Sequence, residues 1–133
     1  MRTSLCLPVK LYFDIDINAH TNKNFDSKTL VDDLVNIFVL RCNNMFDLHC
    51  KPENAVILDS SNEHKLSYHV IFREIVFSNN QMCKRFIQQV LNDLSPEDLS
   101  KLTVLDKYEK SVPAVDLSVY NRNQCFREVI VKR

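Results

Sequence analysis

Apolar and polar residues alternate along the first clear element of the chain. Every second residue from Leu11 to Ile17 is apolar, and Asp14 and Asp16 lie between them. A period of two over residues 10–18 predicts a half-buried strand with one face in the core. Side chains at i and i+2 project from the same face, so the two carboxylates are predicted about 6.6 Å apart along the strand.

Two longer segments carry apolar residues at helical spacing. The first helix is predicted to start at an Asp26 or Ser27 cap and to carry its apolar face as far as Met45. The second is predicted to start near residues 78–80 and to end near Leu94. Each has one apolar face, which indicates that both helices pack on a common core.

The remaining patterns predict four strands and a short helix. Strands are predicted at residues 55–58, 66–77, 112–120 and 126–131, and a short helix begins at the capping sequence of residues 95–98. Without the short helix, the first six elements have the β-α-β-β-α-β order of a ferredoxin-like or RRM-like α+β fold. An additional C-terminal strand follows. In that fold both helices cover one face of the sheet, and the first and third strands are adjacent at its centre.

This topology brings polar residues from distant parts of the chain to the open face of the sheet. Ser67 and His69 are predicted on the strand next to Asp14 and Asp16, and Asp116 alternates with apolar neighbours, so it can join them. Converging carboxylates suit Mg²⁺ or Mn²⁺, and two such ions can promote phosphoryl transfer. Taken singly, each of these residues is also typical of the solvated face of a half-buried sheet.

Composition excludes several classes of protein. Seventeen basic and seventeen acidic residues give a net charge of zero, which argues against a bulk cationic surface for nucleic acid or anionic lipid. Glycine is absent, so glycine-rich phosphate loops are excluded. Five cysteines without a C-x-x-C pair indicate free thiols in a reducing compartment. No apolar run reaches about 18 residues, so we expect a soluble, intracellular protein without a membrane partner.

The other histidines carry no predicted chemistry. Cys42, His49 and Cys50 are near one another in sequence, but no fourth ligand completes a zinc site. His20, His49 and His64 are predicted to lie in loops or at the surface. Their spacing alone indicates nothing further.

Three stretches resemble the motifs of the archaeo-eukaryotic primase superfamily, most closely its PrimPol-like (primase-polymerase) branch in eukaryotes and viruses. LYFDID at residues 11–16 is similar to the first motif, a strand with two acidic residues. LDSSNEHKLSYHVIF at residues 58–72 resembles the second, a Ser-x-His pair after a serine-rich turn and a lysine. VDLSVYNRNQCFR at residues 115–127 resembles the third, an aspartate with a downstream arginine.

The resemblance implies a role for each matching residue. The catalytic divalent ions, Mg²⁺ or Mn²⁺ in a two-metal site, would be held by Asp14, Asp16 and Asp116. The triphosphate of an incoming nucleotide would be contacted by Lys65, Ser67 and His69. A further phosphate contact would come from Arg127, whose guanidinium suits that role, and Arg122 and Asn123 would contact nucleotide or template.

The third motif departs from the family pattern. Ser118 stands where the family usually has glycine, and Gln124 and Cys125 replace a usual arginine and asparagine. One expected cationic contact is therefore missing. The matched region corresponds to the metal- and nucleotide-binding half of a catalytic core.

The resemblance implies that residues 1–133 form a single minimal catalytic domain. Its expected activity is that of a DNA primase-polymerase, a metal-dependent nucleotidyltransferase that adds nucleotides to a 3′ hydroxyl in DNA replication or damage tolerance. Nucleoside triphosphates and a DNA template and primer are the expected partners, with a helicase or a second primase module as a further one. The expected location is the nucleus or a site of viral or mobile-element replication.

The alternative is a catalytically degenerate module of the same fold that binds nucleic acid or a replication partner. Metal-dependent phosphodiester hydrolysis ranks below both, because it gives Lys65, Ser67 and His69 no role.

Overall fold

The computed structural model describes residues 7–121, which form an α+β fold of five strands and three α-helices. In chain order these are β1 (Val9–Asn18), α1 (Ser27–Phe46), β2 (Ala55–Asp59), β3 (Lys65–Phe77), α2 (Asn80–Asp93), α3 (Pro96–Lys101), β4 (Thr103–Leu105) and β5 (Ser111–Pro113). Short 3₁₀ helices cover Pro52–Asn54 and Leu117–Asn121. The predicted order of the first three strands, both long helices and the short helix is confirmed.

The main sheet is antiparallel and has the strand order β1-β3-β2. On the other side of β1, Val115 forms an isolated antiparallel bridge with Ile15. Across the sheet, the order is therefore the segment at Val115, then β1, β3 and β2. This is the strand order of a ferredoxin-like sheet, except that a single bridge takes the place of the edge strand beside β1. The predicted α+β, ferredoxin-like fold class is confirmed, including the adjacent first and third strands.

Helices α1 and α2 cover one face of this sheet and form the core with it. Phe38 of α1 lies between Phe13 of β1 and Phe86 of α2, with ring centroids 4.6 and 6.1 Å away. The apolar residues that alternate along β1 all face this core and are fully buried: Leu11, Phe13, Ile15 and Ile17. The opposite side chains of β1 are therefore left on the face that no helix covers.

Side-chain caps explain where the helices begin. The carboxylate of Asp26 accepts a hydrogen bond from the Thr29 amide at the start of α1, and the side chain of Asn79 accepts one from Met82 at the start of α2. Ser95 caps α3 in the same way. Each cap satisfies an amide that has no partner within its own helix.

The predicted strand over residues 112–120 is wrong in its extent. Only Ser111–Pro113 is regular strand, and it pairs with β4, a three-residue strand too short to produce a detectable period. Beyond the bridge at Val115, the Asp116 side chain accepts a hydrogen bond from the Ser118 amide, and this turn starts the 3₁₀ helix Leu117–Asn121. The strand predicted at residues 126–131 lies outside the described residues.

Across residues 7–121, every helix is too short or too polar to cross a bilayer.

Two buried thiols make the stability of the fold sensitive to alkaline pH. Burial raises the pKa of Cys42 to about 12 and that of Cys83 to about 11, above the ordinary value of 9.0. The folded state thus holds these protons more tightly than the unfolded chain does. We expect their contribution to stability to be complete below about pH 9 and to fall as the pH rises towards 11–12. Urea unfolding across this range measures the loss.

The matched control is the Cys42→Ala/Cys83→Ala variant. It should show a shallower decline above about pH 9, because the remaining pH dependence then comes from other groups whose pKa burial raises, such as Cys50 and Tyr120. An identical slope in both proteins would contradict the assignment to these thiols.

Candidate active site

Three carboxylates meet on the open face of the sheet. Asp14 and Asp16 project from β1, and Asp116 reaches them because the segment at Val115 runs along the edge of that strand. The Asp116 amide donates to the Asp14 carbonyl at 2.8 Å, and the Asp16 amide donates to the Ala114 carbonyl at 3.2 Å. One oxygen from each carboxylate lies within 4.8 Å of the other two, and all three residues are half-buried. The convergence predicted from the sequence is present.

Two contacts fix the position of Asp116. The amide and the hydroxyl of Ser118 both donate to its Oδ1, at 3.0 and 2.6 Å. Serine thus supplies a hydroxyl donor at the position where the resembling family usually has glycine. Four residues after Asp116, the hydroxyl of buried Tyr120 donates to the Tyr12 carbonyl, and their rings are 4.9 Å apart. Burial raises the pKa of Tyr120, so its hydroxyl remains a donor.

Strand β3 places its polar residues directly opposite those of β1. Asp14 pairs with His69 and Asp16 with Ser67. His69 Nδ1 lies 2.6 Å from Asp14 Oδ1, and Ser67 donates to Asp16 Oδ1 at 2.8 Å. Lys65 Nζ is 3.5 Å from the same Asp16 oxygen. The structure therefore brings six of the predicted site residues into one cluster.

Electrostatics favour a cation at this cluster. Two like charges at about 4.8 Å repel each other by roughly 3–4 kcal/mol at an effective dielectric constant near 20. Lys65 offsets part of this repulsion, but its side chain is 55% exposed and reaches one carboxylate. Mg²⁺ and Mn²⁺ prefer oxygen ligands such as carboxylates, so this set of donors fits such ions.

The structure does not test three of the predicted site residues. Arg122, Asn123 and Arg127 lie outside the described residues, and their roles stay predictions. Conversely, sequence patterns did not indicate Ser118 or Tyr120. An aspartate two residues before a serine is a common turn signal, and this pattern could have identified Ser118. The contact of Tyr120 with Tyr12 joins residues 108 positions apart and leaves no local signal.

The Tyr120 hydroxyl is expected to contribute to stability through this contact. Replacing Tyr120 with phenylalanine removes a buried donor from the Tyr12 carbonyl and should lower the free energy of unfolding by about 1–2 kcal/mol. Urea unfolding measures this loss. Tyr108→Phe is the matched control, since Tyr108 is 70% exposed and its replacement should have no measurable effect. Equal stability of the two variants would contradict the role given to Tyr120.

The chain is similar to known proteins along most of its length. It is 30% identical over 149 aligned residues to the DNA-directed primase/polymerase protein of zebrafish (Danio rerio), a match that covers 89% of this chain. It is also 32% identical over 84 residues to the mouse protein of the same name, covering 62% of this chain. The chain is a homologue of DNA-directed primase/polymerase proteins. The resemblance predicted from the three motifs is confirmed.

These primase/polymerase relatives are much longer than the chain. The matched regions are 28% of the zebrafish protein and 16% of the mouse protein. A viral relative, the uncharacterized protein ORF49 of Ostreid herpesvirus 1, is 28% identical over 131 residues, covering 90% of this chain and 12% of its own. No family model matches the chain. Each of these matches therefore covers only part of the relative's length.

Proposed function

We propose that the chain is the metal- and nucleotide-binding part of a DNA primase-polymerase. It would join the α-phosphate of a nucleoside triphosphate to a 3′ hydroxyl and release pyrophosphate. The observation that carries this proposal is the cluster of three carboxylates directly beside Lys65, Ser67 and His69. We further propose that residues 1–133 act as one catalytic domain.

Asp14, Asp16 and Asp116 would hold the divalent ions. Their oxygens lie close enough together to share hard cations. Ser118 donates both of its hydrogen bonds to Oδ1 of Asp116, so Oδ2 receives none from Ser118. A pair of Mg²⁺ or Mn²⁺ ions would supply activation of the attacking hydroxyl and stabilisation of the leaving oxygen.

The β3 side chains would bind and orient the triphosphate. Lys65 and His69 are 55% and 51% exposed, so a phosphate group can reach both. His69 turns Nδ1 towards Asp14, which places Nε2 on the opposite side of the ring, where it can donate to a phosphate oxygen. The hydroxyl of Ser67 donates to Asp16 and would connect the metal-binding carboxylates to the residues that bind the triphosphate.

Contacts beyond this cluster follow from the family resemblance. Arg127 would bind phosphate, and Arg122 and Asn123 would contact nucleotide or template. A DNA template and primer are the proposed partners, consistent with the name of the zebrafish and mouse relatives. Because the chain matches only part of those proteins, we propose that a second primase module or a helicase supplies further template contacts.

Primer extension tests the proposal. The purified chain is incubated with a fluorescent primer annealed to a longer template, deoxynucleoside triphosphates, and either Mg²⁺ or Mn²⁺. Extension that depends on the metal and stops with EDTA is the expected result. A parallel titration measures whether a nucleoside triphosphate binds in a Mn²⁺-dependent manner.

The two measurements separate the active enzyme from a degenerate module. Binding of nucleotide and Mn²⁺ without any extension would favour a catalytically degenerate module that keeps the site. Absence of both would overturn the proposed function.

A further inference from the structure

Two similar turns lie at the same end of the central strand pair. Asn18, the last residue of β1, begins the turn Asn18-Ala19-His20. The turn Asn62-Glu63-His64 precedes β3, whose first residue pairs with Asn18. In each turn the asparagine side chain accepts a hydrogen bond from the amide of the histidine two residues later, at 2.9 Å for His20 and 2.8 Å for His64. The repeated Asn-x-His arrangement thus holds two histidines at fixed backbone positions on adjacent strand ends.

The two imidazole rings meet across these turns. His20 Nε2 lies 2.9 Å from His64 Nδ1, with the rings tilted by 37°. The Ala19 amide also donates to the His64 carbonyl at 3.0 Å, which joins the turns through the backbone. Both histidines are exposed, so solutes reach the pair directly.

The turn that carries His20 is fastened to the rest of the fold. The Asn22 side-chain amide donates to the carbonyls of Asn18 and Leu105, each at 2.8 Å, and its oxygen accepts from the Leu105 amide at 3.1 Å. These bonds connect the turn to β4. The histidine pair therefore belongs to a braced part of the molecule, and little conformational freedom remains to be lost when a ligand binds.

We propose that His20 and His64 form a second metal site, selective for a borderline transition ion of the Zn²⁺ type. Neutral imidazole is the most common ligand for such ions. Two nitrogens at about 2.0–2.1 Å from a tetrahedral Zn²⁺ are roughly 3.3 Å apart, so the observed pair needs only a small opening to chelate one. Water fills the other coordination positions.

The proton balance of this site follows from the ring contacts. The Glu63 carboxylate lies 3.9 Å from His64 Nε2 and favours a proton on that nitrogen, which leaves a lone pair on Nδ1. On metal binding, His20 moves its proton from Nε2 to Nδ1 through solvent. The neutral pair thus becomes two nitrogen ligands without net release of a proton.

This site differs from the carboxylate cluster in both ligand chemistry and consequence. Nitrogen ligands favour Zn²⁺ over Mg²⁺, whereas the three aspartates offer only oxygen. An ion held by His20 and His64 would tie the end of β1 to the start of β3. Since Lys65 follows His64 directly, the ion would also fix the strand end that carries this lysine.

Calorimetric titration of the full chain with ZnCl₂ in excess Mg²⁺ tests the proposal. The wild type should bind one Zn²⁺ that both His20→Ala and His64→Ala weaken by at least about tenfold, because losing even an outer-sphere partner costs about 10–100-fold in metal affinity. His49→Ala is the matched control and should bind as the wild type does, since His49 is exposed and takes no part in this pair.

A second readout separates binding at the pair from binding elsewhere. Zn²⁺ should raise the unfolding temperature of the wild type and of His49→Ala, but not that of the two alanine variants. Unchanged Zn²⁺ affinity in either His20→Ala or His64→Ala would overturn the proposal, as would loss of binding in Asp14→Asn alone. Neither result depends on polymerase activity, so failure of the proposed function leaves this test intact.

Discussion

Replacing Asp116 with asparagine is expected to reduce metal-dependent primer extension by at least about 100-fold. The substitution keeps the shape and the oxygen that Ser118 contacts, but it removes one of three charges within 4.8 Å of each other. Loss of an outer-sphere partner already costs about 10–100-fold in metal affinity or activity, and Asp116 is proposed to contact the ions directly. Initial rates of extension with Mg²⁺ and Mn²⁺ measure the effect.

The folding of this variant should not suffer. Removing one of three mutually repelling carboxylates relieves like-charge repulsion, so the unfolding temperature without metal should stay equal or rise. Asp14→Asn should lose activity similarly, and Asp32→Asn, on the exposed side of α1, should keep it. Wild-type rates in Asp116→Asn would contradict the catalytic role. A lower unfolding temperature of Asp116→Asn without metal would contradict the expected relief of repulsion.

Replacing Phe38 with alanine is expected to cause the largest loss of stability. Its fully buried ring lies between Phe13 and Phe86 and joins α1 to both the sheet and α2. Truncation of a buried phenylalanine removes its transfer free energy and leaves a cavity, at a cost of about 3–5 kcal/mol. This is a large share of the roughly 5–15 kcal/mol by which domains are stable. Urea unfolding monitored by circular dichroism measures it.

Phe46→Ala is the control for this prediction. Phe46 lies near the end of the same helix and contacts Phe77 and Phe86, but it is 43% exposed. Its truncation opens no closed cavity and should cost clearly less. A larger loss for Phe46→Ala than for Phe38→Ala would place the centre of the core elsewhere.

Strand β1 shows why much of the fold was predictable. Its strict alternation left Asp14 and Asp16 on one face, and the structure has that pattern without a break between Leu11 and Asn18. The same reasoning predicted Ser67 and His69 opposite them, because β3 also has one apolar face. Long elements with one buried face contain their own period, which a sequence pattern detects directly.

The surroundings of Asp116 were harder to predict. Alternation around this residue indicated a strand, whereas the backbone forms one bridge and then a 3₁₀ helix, because the carboxylate binds the Ser118 amide. A local side-chain bond therefore prevailed over a weak strand pattern. Convergence with Asp14 was still predicted correctly, since one bridge to Ile15 suffices to bring the residue to the site.

The pairing of His20 with His64 lay beyond sequence patterns altogether. The two residues are 44 positions apart, and neither shows a periodic signal. Their contact depends on the register between β1 and β3, in which Asn18 lies opposite Lys65, and on the two asparagine turns. Register is a property of the paired strands, so the meeting of two loop residues becomes visible only in the folded chain.

A crystal of the protein soaked with Mn²⁺ and a non-hydrolysable nucleoside triphosphate would show where the metal and the nucleotide bind. Two anomalous peaks about 3.5–4 Å apart are expected. Both should be bound by oxygens of Asp14, Asp16 and Asp116, with the triphosphate against Lys65, Ser67 and His69. Manganese bound elsewhere, or a nucleotide seated away from these six residues, would contradict the proposed function.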